Sequence, residues 1–192
     1  MKNISRFIDK DDYVKELTKD DVINIIGSKG SGKTTSTIKY IDDDDYIVVN
    51  LDSLHNAPGS KERDKELDNI RKLLIDKYGS IKDDEEFITT YNEIVKYAKD
   101  KKKKLLIEGN SIQGIEPKDL KGTVIVKRTA TVKCYIRSVK RDYHNEYFMN
   151  LEKEKHKHIY KLTRFKNISK RRKKIFKEVK ELDEYIDKLK SI

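Results

Sequence analysis

Eight residues near the start of the chain, Gly27-Ser28-Lys29-Gly30-Ser31-Gly32-Lys33-Thr34, constrain its fold more than any others. They match the pattern G-x-x-x-x-G-K-S/T, which cradles phosphate when a strand precedes it and a helix follows. Both flanks are present. Val22-Ile23-Asn24-Ile25-Ile26 is a β-branched run of buried-strand type, and Thr34 to Ile41 reads as a helix start free of Gly and Pro. Gly27, Gly30 and Gly32 allow backbone conformations closed to other residues and a close approach to a ligand. The N–H groups of such a loop surround an anion, and a helix N-terminus adds partial positive charge. Lys33 is expected to reach the β- and γ-phosphates and Thr34 to hold Mg²⁺ through its hydroxyl, with Thr35 closing the binding segment. A nucleoside triphosphate is the expected ligand.

Charge is distributed unevenly along the 192 residues. The net charge is +10, yet from Lys121 onward there are 22 Lys+Arg against 9 Asp+Glu, while the first 120 residues hold 22 against 25. Such asymmetry favours anionic partners: triphosphates, phosphorylated substrates or nucleic acid. A solvated lysine-rich surface would have the same composition. The length suits one domain, and the apolar residues cluster enough to build a core. The single Cys134 excludes an internal disulfide and is expected to be a small buried residue within a helix. No apolar run approaches the length of a membrane span and no signal-type hydrophobic region opens the chain, so a soluble, cytoplasmic protein is expected.

Residues 1–20 are polar with scattered Phe7, Ile8, Tyr13, Val14 and Leu17, which suits a short helix capping one sheet edge. Asp42 to Asp45 read as a solvated turn, because consecutive side chains diverge and do not form a metal site. Tyr46 to Leu51 is a second strand with Asp52 at its C-terminal end, the position where open parallel sheets bind ligands. Two helical patterns follow, through Leu67, Ile70, Leu74 and Tyr78, then Phe87, Tyr91, Ile94 and Ala98. Leu105-Leu106-Ile107 is a third strand ending at Glu108-Gly109, and Thr123 to Val126 a fourth ending at Lys127-Arg128-Thr129. Glu108 is a candidate acidic residue of the nucleotide site; an ion pair with a lysine is the competing role. A helix from about Thr131 carries Arg137, Lys140 and Arg141 on one face. His156 and His158 are too sparse for a zinc site. Ile175, Val179, Leu182, Ile186 and Leu189 form a short heptad seam, expected to pack across the sheet or, less favoured, against a second copy.

This order resembles the nucleoside-monophosphate-kinase-like branch of P-loop kinases, which includes nucleotide kinases, zeta-toxin-type kinases and polynucleotide 5′-kinases. The likeness spans roughly residues 21–145 and is carried by the P-loop, by Leu105 to Gly109, by Asp52 and by the arginine-bearing helix. It implies a three-layer α/β P-loop NTPase fold with a mostly parallel sheet of about five strands. It further implies a helical acceptor-side insertion over 55–104, a lid-like basic region over 128–166 and a C-terminal helix over 168–192. By the same resemblance, ATP and Mg²⁺ are the cofactors, Asp52 takes the acceptor's hydroxyl proton or binds the acceptor, and Glu108 assists Thr34 at the metal. Arg137 and Arg141, joined by Arg128, resemble lid arginines that close over the transferring phosphoryl group beside Lys33. The fifth strand is the weakest element; Ile159-Tyr160-Lys161-Leu162 is its candidate, with a helix as the alternative.

Other classes fit less well. A GTPase would carry N-K-x-D after a late strand, and none occurs. A nucleic-acid-associated P-loop ATPase or binding module is the stronger rival. Its support is the basic run Lys170 to Lys174 and the interleaved Tyr143, His144, Tyr147, Phe148, Tyr160 and Phe165, since basic groups contact phosphates and aromatics stack on bases. A polynucleotide kinase would reconcile the two. The phosphoryl acceptor, a hydroxyl or a phosphate, is left open, as is a monomeric or dimeric state.

Overall fold

The computed structural model describes residues 4–8, 21–54, 65–79, 87–150 and 157–192, with 4–8, 53, 65, 141–150 and 157–169 as backbone. Five strands form one parallel sheet: β1 (Ile4–Ile8), β2 (Val22–Ile26), β3 (Tyr46–Asn50), β4 (Lys104–Glu108) and β5 (Gly122–Val126), in the order β1-β5-β2-β4-β3. The glycine-loop strand β2 therefore lies at the centre. The α-helices are α1 (Lys33–Thr37), α2 (Lys65–Tyr78), α3 (Phe87–Asp100), α4 (Thr131–Asn150) and α5 (Lys157–Lys190).

Burial explains why these strands read as they do. In β2, β4 and β5 four residues in a row are buried, because both faces of a central parallel strand are covered. In β3, an edge strand, burial alternates: Ile47 and Val49 point inward while Tyr46, Val48 and Asn50 are half-buried. On one face of the sheet, Ile26, Val49, Ile107 and Val124 join Ile70 and Leu74 of α2, Tyr91 and Ile94 of α3, and Leu182, Ile186 and Leu189 of α5. On the other, Ile23, Ile25, Leu106 and Ile125 form a smaller cluster against Tyr40, Tyr46 and Val48. A fully buried side chain of this size contributes about 1.5–3 kcal/mol, so Leu182, Ile186 and Leu189 of the heptad seam are accounted for by packing in this core, while Val179 is half-buried and Ile175 is buried outside it.

Local chemistry sets several boundaries. Gly79 ends α2, its N–H bonding Ile75 O at 2.8 Å. Asp42 to Asp45 are exposed, and Tyr46 N closes their turn on Asp43 O at 3.0 Å. Lys101 and Lys102 are exposed at the end of α3, and the basic run from Lys101 merges into β4. The helical reading from Thr34 resolves into α1 and a 3₁₀ turn, Ile38–Tyr40.

Two expectations are corrected. The fifth strand is not Ile159 to Leu162, which lies within α5; it is Ile4–Ile8, in a segment read as a helix-forming cap. The open edge of β5 supplies ladder partners that local pattern could not reveal, with Ile4 opposite Gly122 and Ile8 opposite Ile125. The C-terminal helix expected over 168–192 begins instead at Lys157, so Ser169 is interior to α5. The lid-like region over 128–166 thus runs through α4 and into α5, with 151–156 outside the described residues. His55 and His156 also lie outside them, as do 55–64 and 80–86 of the insertion. Among the described residues no helix is long and apolar enough to cross a membrane.

Candidate active site

The C-terminal ends of β2, β3, β4 and β5 converge on one cavity of about 1020 Å³. This is where the strand order turns, since the chain leaves β2 toward β3 and later returns past it to β5. The glycine loop forms its floor. Gly30 has φ +83°, and a Cβ there would meet Cys134 O at 2.6 Å, so the loop packs against α4 only because position 30 has no side chain. Cys134 is buried as expected, with Sγ 3.4 Å from both Ser28 Oγ and Thr129 O. The loop carbonyls are engaged by nearby donors. Ser31 N reaches Ser28 O at 3.0 Å, Thr129 Oγ1 reaches Ser31 O at 2.9 Å, and Arg137 Nη1 reaches Gly30 O at 3.3 Å. What such a loop has left to offer a ligand is its N–H groups, the chemistry of an anion cradle.

Lys33 is buried at the centre of the site. Its Nζ donates to Gly27 O at 2.6 Å, Ser28 O at 3.3 Å and Asn110 Oδ1 at 2.9 Å. Burial pushes its pKa down; the carboxylates of Glu108, Asp52 and Glu178, in falling order, oppose that. Glu108 is 2% exposed. Its Oε1 accepts a hydrogen bond from Asn50 Nδ2 at 3.1 Å, while its Oε2 is buried without a partner. Burial pushes the Glu108 carboxyl above its usual range, against the pull of Thr34, Lys33 and Asn50. Asn50 and Thr34 are its hydrogen-bonding neighbours, and Lys33, the lysine of the competing ion-pair role, acts on it as a nearby charge.

Asp52 follows β3 and enters the same cavity, but its carboxylate is already engaged. Oδ2 accepts from Asn110 N at 3.0 Å; Oδ1 accepts from Ser111 N at 2.9 Å and Ser111 Oγ at 2.7 Å. Gly109 permits this clamp, because a Cβ there would lie 2.9 Å from Asp52 Oδ1. Asp52 therefore holds the turn after β4, and that turn in turn holds Lys33 through Asn110.

Of the remaining residues predicted from sequence, Gly30 to Thr35, Lys29 and Arg137 line the cavity. Gly27 and Ser28 bind Lys33 from beneath. Arg128 is not among the lining residues; its Nη1 pairs with Asp183 Oδ1 on α5 at 3.1 Å. Arg141 lies on α4 one turn beyond Arg137, with only its backbone described. Arg71 of the insertion is turned into the core, donating to Leu54 O at 3.1 Å.

Several lining residues escape a reading of the sequence: Asn50, Asn110, Ser111, Lys127, Lys133, Lys174 and Glu178. Asn50, Asn110 and Lys127 sit at or just after strand ends, where the strand-end rule points. Lys174 and Glu178 carry no local signal, being two charged residues among many on α5. Among the described residues no three His, Cys, Asp or Glu side chains form a metal-holding cluster. Mg²⁺ does not need one, since it is commonly held by one or two protein oxygens together with substrate phosphates. The spare, buried Glu108 Oε2 beside Thr34 fits such a cation. No family model matches the chain, and no curated protein matches it in sequence.

Proposed function

We propose that the protein is a P-loop kinase that binds ATP with Mg²⁺ and moves the γ-phosphoryl group to an acceptor, a hydroxyl in preference to a phosphate. One observation carries this reading: Lys33, Thr34, Asp52, Glu108 and Arg137, drawn from four separate segments of the chain, line a single cavity at the strand ends. A loop that only bound phosphate would not need the carboxylates. Phosphoryl transfer spreads negative charge over three equatorial oxygens, so catalysis consists mainly of positioning and charge neutralisation. Mg²⁺ held at Thr34 and Glu108 would supply further neutralisation of that charge. Lys33 leaves its loop carbonyls for the phosphates, while Asn110 limits how far it travels. Arg137 is exposed and among the described residues is bound to Gly30 O alone, which leaves it able to swing over the transferring group. Thr34 and Glu108 are the residues suited to the cation. Asp52 orients the turn that bounds the acceptor side. Among the described residues of the insertion the one arginine, Arg71, is spent on the core, which leaves it no role toward a phosphate acceptor.

Incubation with γ-labelled ATP, Mg²⁺ and mixed acceptors tests the reading: label should move to an acceptor, and Lys33→Met should abolish ATP binding. Arg137→Ala should lower the transfer rate about 10²-fold or more, as loss of a transition-state cation does, whereas Arg128→Ala should leave it within about threefold because its pair with Asp183 is an exposed one. Equal loss in both variants contradicts the assignment of Arg137.

A nucleic-acid-associated ATPase is the second reading. It rests on Lys170, Arg172, Lys173 and Lys174, which are exposed on α5, and on Lys174 lining the cavity. Affinity for DNA or RNA should then fall steeply with salt; a flat dependence removes it.

A further inference from the structure

A second cavity, of about 370 Å³, adjoins the first and shares Asn110 and Glu178 with it. The two differ in the sign of their lining. The large cavity has six cationic side chains, Lys29, Lys33, Lys127, Lys133, Lys174 and Arg137, against the carboxylates of Asp52, Glu108 and Glu178. The small one has Glu178, Glu181 and Glu184 against Lys188 alone, with Ser28 and Gln113 as neutral hydrogen-bonding groups. Glu181 and Glu184 also pair with Lys177 and Lys180 at 3.2 and 3.6 Å on the open side of α5, but such exposed pairs bind weakly. A phosphate group would find no arginine in this space and three carboxylates around it.

Glu178 stands on the shared wall. Its Oε2 is buried and has no hydrogen-bond partner among the described residues, and its carboxylate acts on the Lys33 ammonium. A buried acceptor without a donor is costly, so this oxygen calls for a donor that a ligand would bring. Asp52 is more heavily engaged, with two donors from Ser111 on Oδ1 and one from Asn110 on Oδ2, so neither of its oxygens lacks a donor.

We propose that the small cavity is the acceptor site, that it takes a small hydroxyl compound carrying no phosphate, neutral or cationic, and that Glu178 receives its proton. This inference rests on the kinase reading. The volume suits a sugar- or nucleoside-sized molecule. In the step, the acceptor O–H gives its proton to Glu178 Oε2 and the oxygen forms a bond to the γ-phosphorus. The bond from that phosphorus to the bridging oxygen breaks, its electron pair stays on that oxygen, and ADP leaves. No redox change occurs.

The test uses the full chain with γ-labelled ATP and two acceptor pools. One pool holds adenosine, glucose and glucosamine; the other holds AMP, glucose 6-phosphate and a 5′-phosphorylated oligonucleotide. Label should enter the first pool. Glu178→Gln should lower transfer about 10²-fold or more, the usual effect of losing a general base, while affinity for a non-hydrolysable ATP analogue stays within about threefold. Glu178→Asp should recover part of the rate. Label entering only the phosphorylated pool overturns the proposal and leaves the kinase reading standing, as does wild-type transfer by Glu178→Gln. Label entering neither pool, with ATP still bound, overturns both.

Discussion

At the scale of single residues, the site depends on two kinds of constraint. The first is space. Gly30 has no room for a methyl group because the Cys134 carbonyl stands 2.6 Å from where it would sit, and its φ of +83° disfavours any L-residue. Gly30→Ala should therefore lower the unfolding free energy by about 2 kcal/mol or more and weaken ATP binding, measured by denaturant melts and by titration. The second is buried charge. Burial raises the Glu108 carboxyl above its ordinary 4.5. A folded-state pKa raised in this way gives stability that is present below the unfolded value and lost as pH rises through the folded value. Glu108→Gln should accordingly raise the melting temperature of the nucleotide-free protein at pH 8, and the gain should shrink toward pH 4. A gain that grows on acidification contradicts the sign. The glycines and Lys33 are legible in sequence because their spacing is itself the chemistry. Glu178 is not, since nothing nearby in sequence distinguishes it from Glu181 or Glu184; only the docking of α5 turns it toward the cavity.

At the scale of elements, helices attach to the sheet by seams and to each other by a few polar contacts. Tyr97 on α3 donates to Glu66 Oε2 on α2 at 2.7 Å, and burial with that carboxylate beside it pushes the phenol up to about 12. Its contribution to stability is present below pH 10 and is lost as pH rises through about 12. Tyr97→Phe should cost about 1 kcal/mol at neutral pH and flatten the loss of stability over that alkaline window, as followed by thermal melts. The periodicity of α2, α3 and the distal part of α5 was readable because each carries an apolar stripe that meets the core. The start of α5 is less legible, since the apolar residues Ile159, Tyr160 and Leu162 suit a strand as well as a helix and only the backbone extends the helix to Lys157.

At the scale of the whole molecule, the sheet order makes the segment before the glycine loop a structural partner of β5. Removing residues 1–8 would expose the β5 edge along Gly122 to Ile125, and unpaired edges invite pairing with other chains. The truncated protein should melt at lower temperature and form larger species on size-exclusion chromatography; an unchanged melt and elution volume would contradict the assignment of β1. This pairing was invisible in sequence because an edge strand of five residues is defined by what it lies beside, and its few apolar side chains also fit a helix. The central strands needed no such context: runs buried on both faces announce themselves. The positions of Asp52 and Glu108 follow from strand ends alone, whereas the closing wall of the cavity depends on helices from the basic part of the chain.

The clamp between Asp52 and the turn at Asn110 and Ser111 has a consequence for signalling within the site. One peptide unit grips the carboxylate through its amide while its side chain grips the lysine ammonium. Withdrawing that ammonium toward a nucleotide tugs on the same link that anchors the opposite wall. Titration with ATP should therefore shift the Ser111 amide resonance, since Ser111 N is bonded to the same carboxylate; an unmoved resonance contradicts the link.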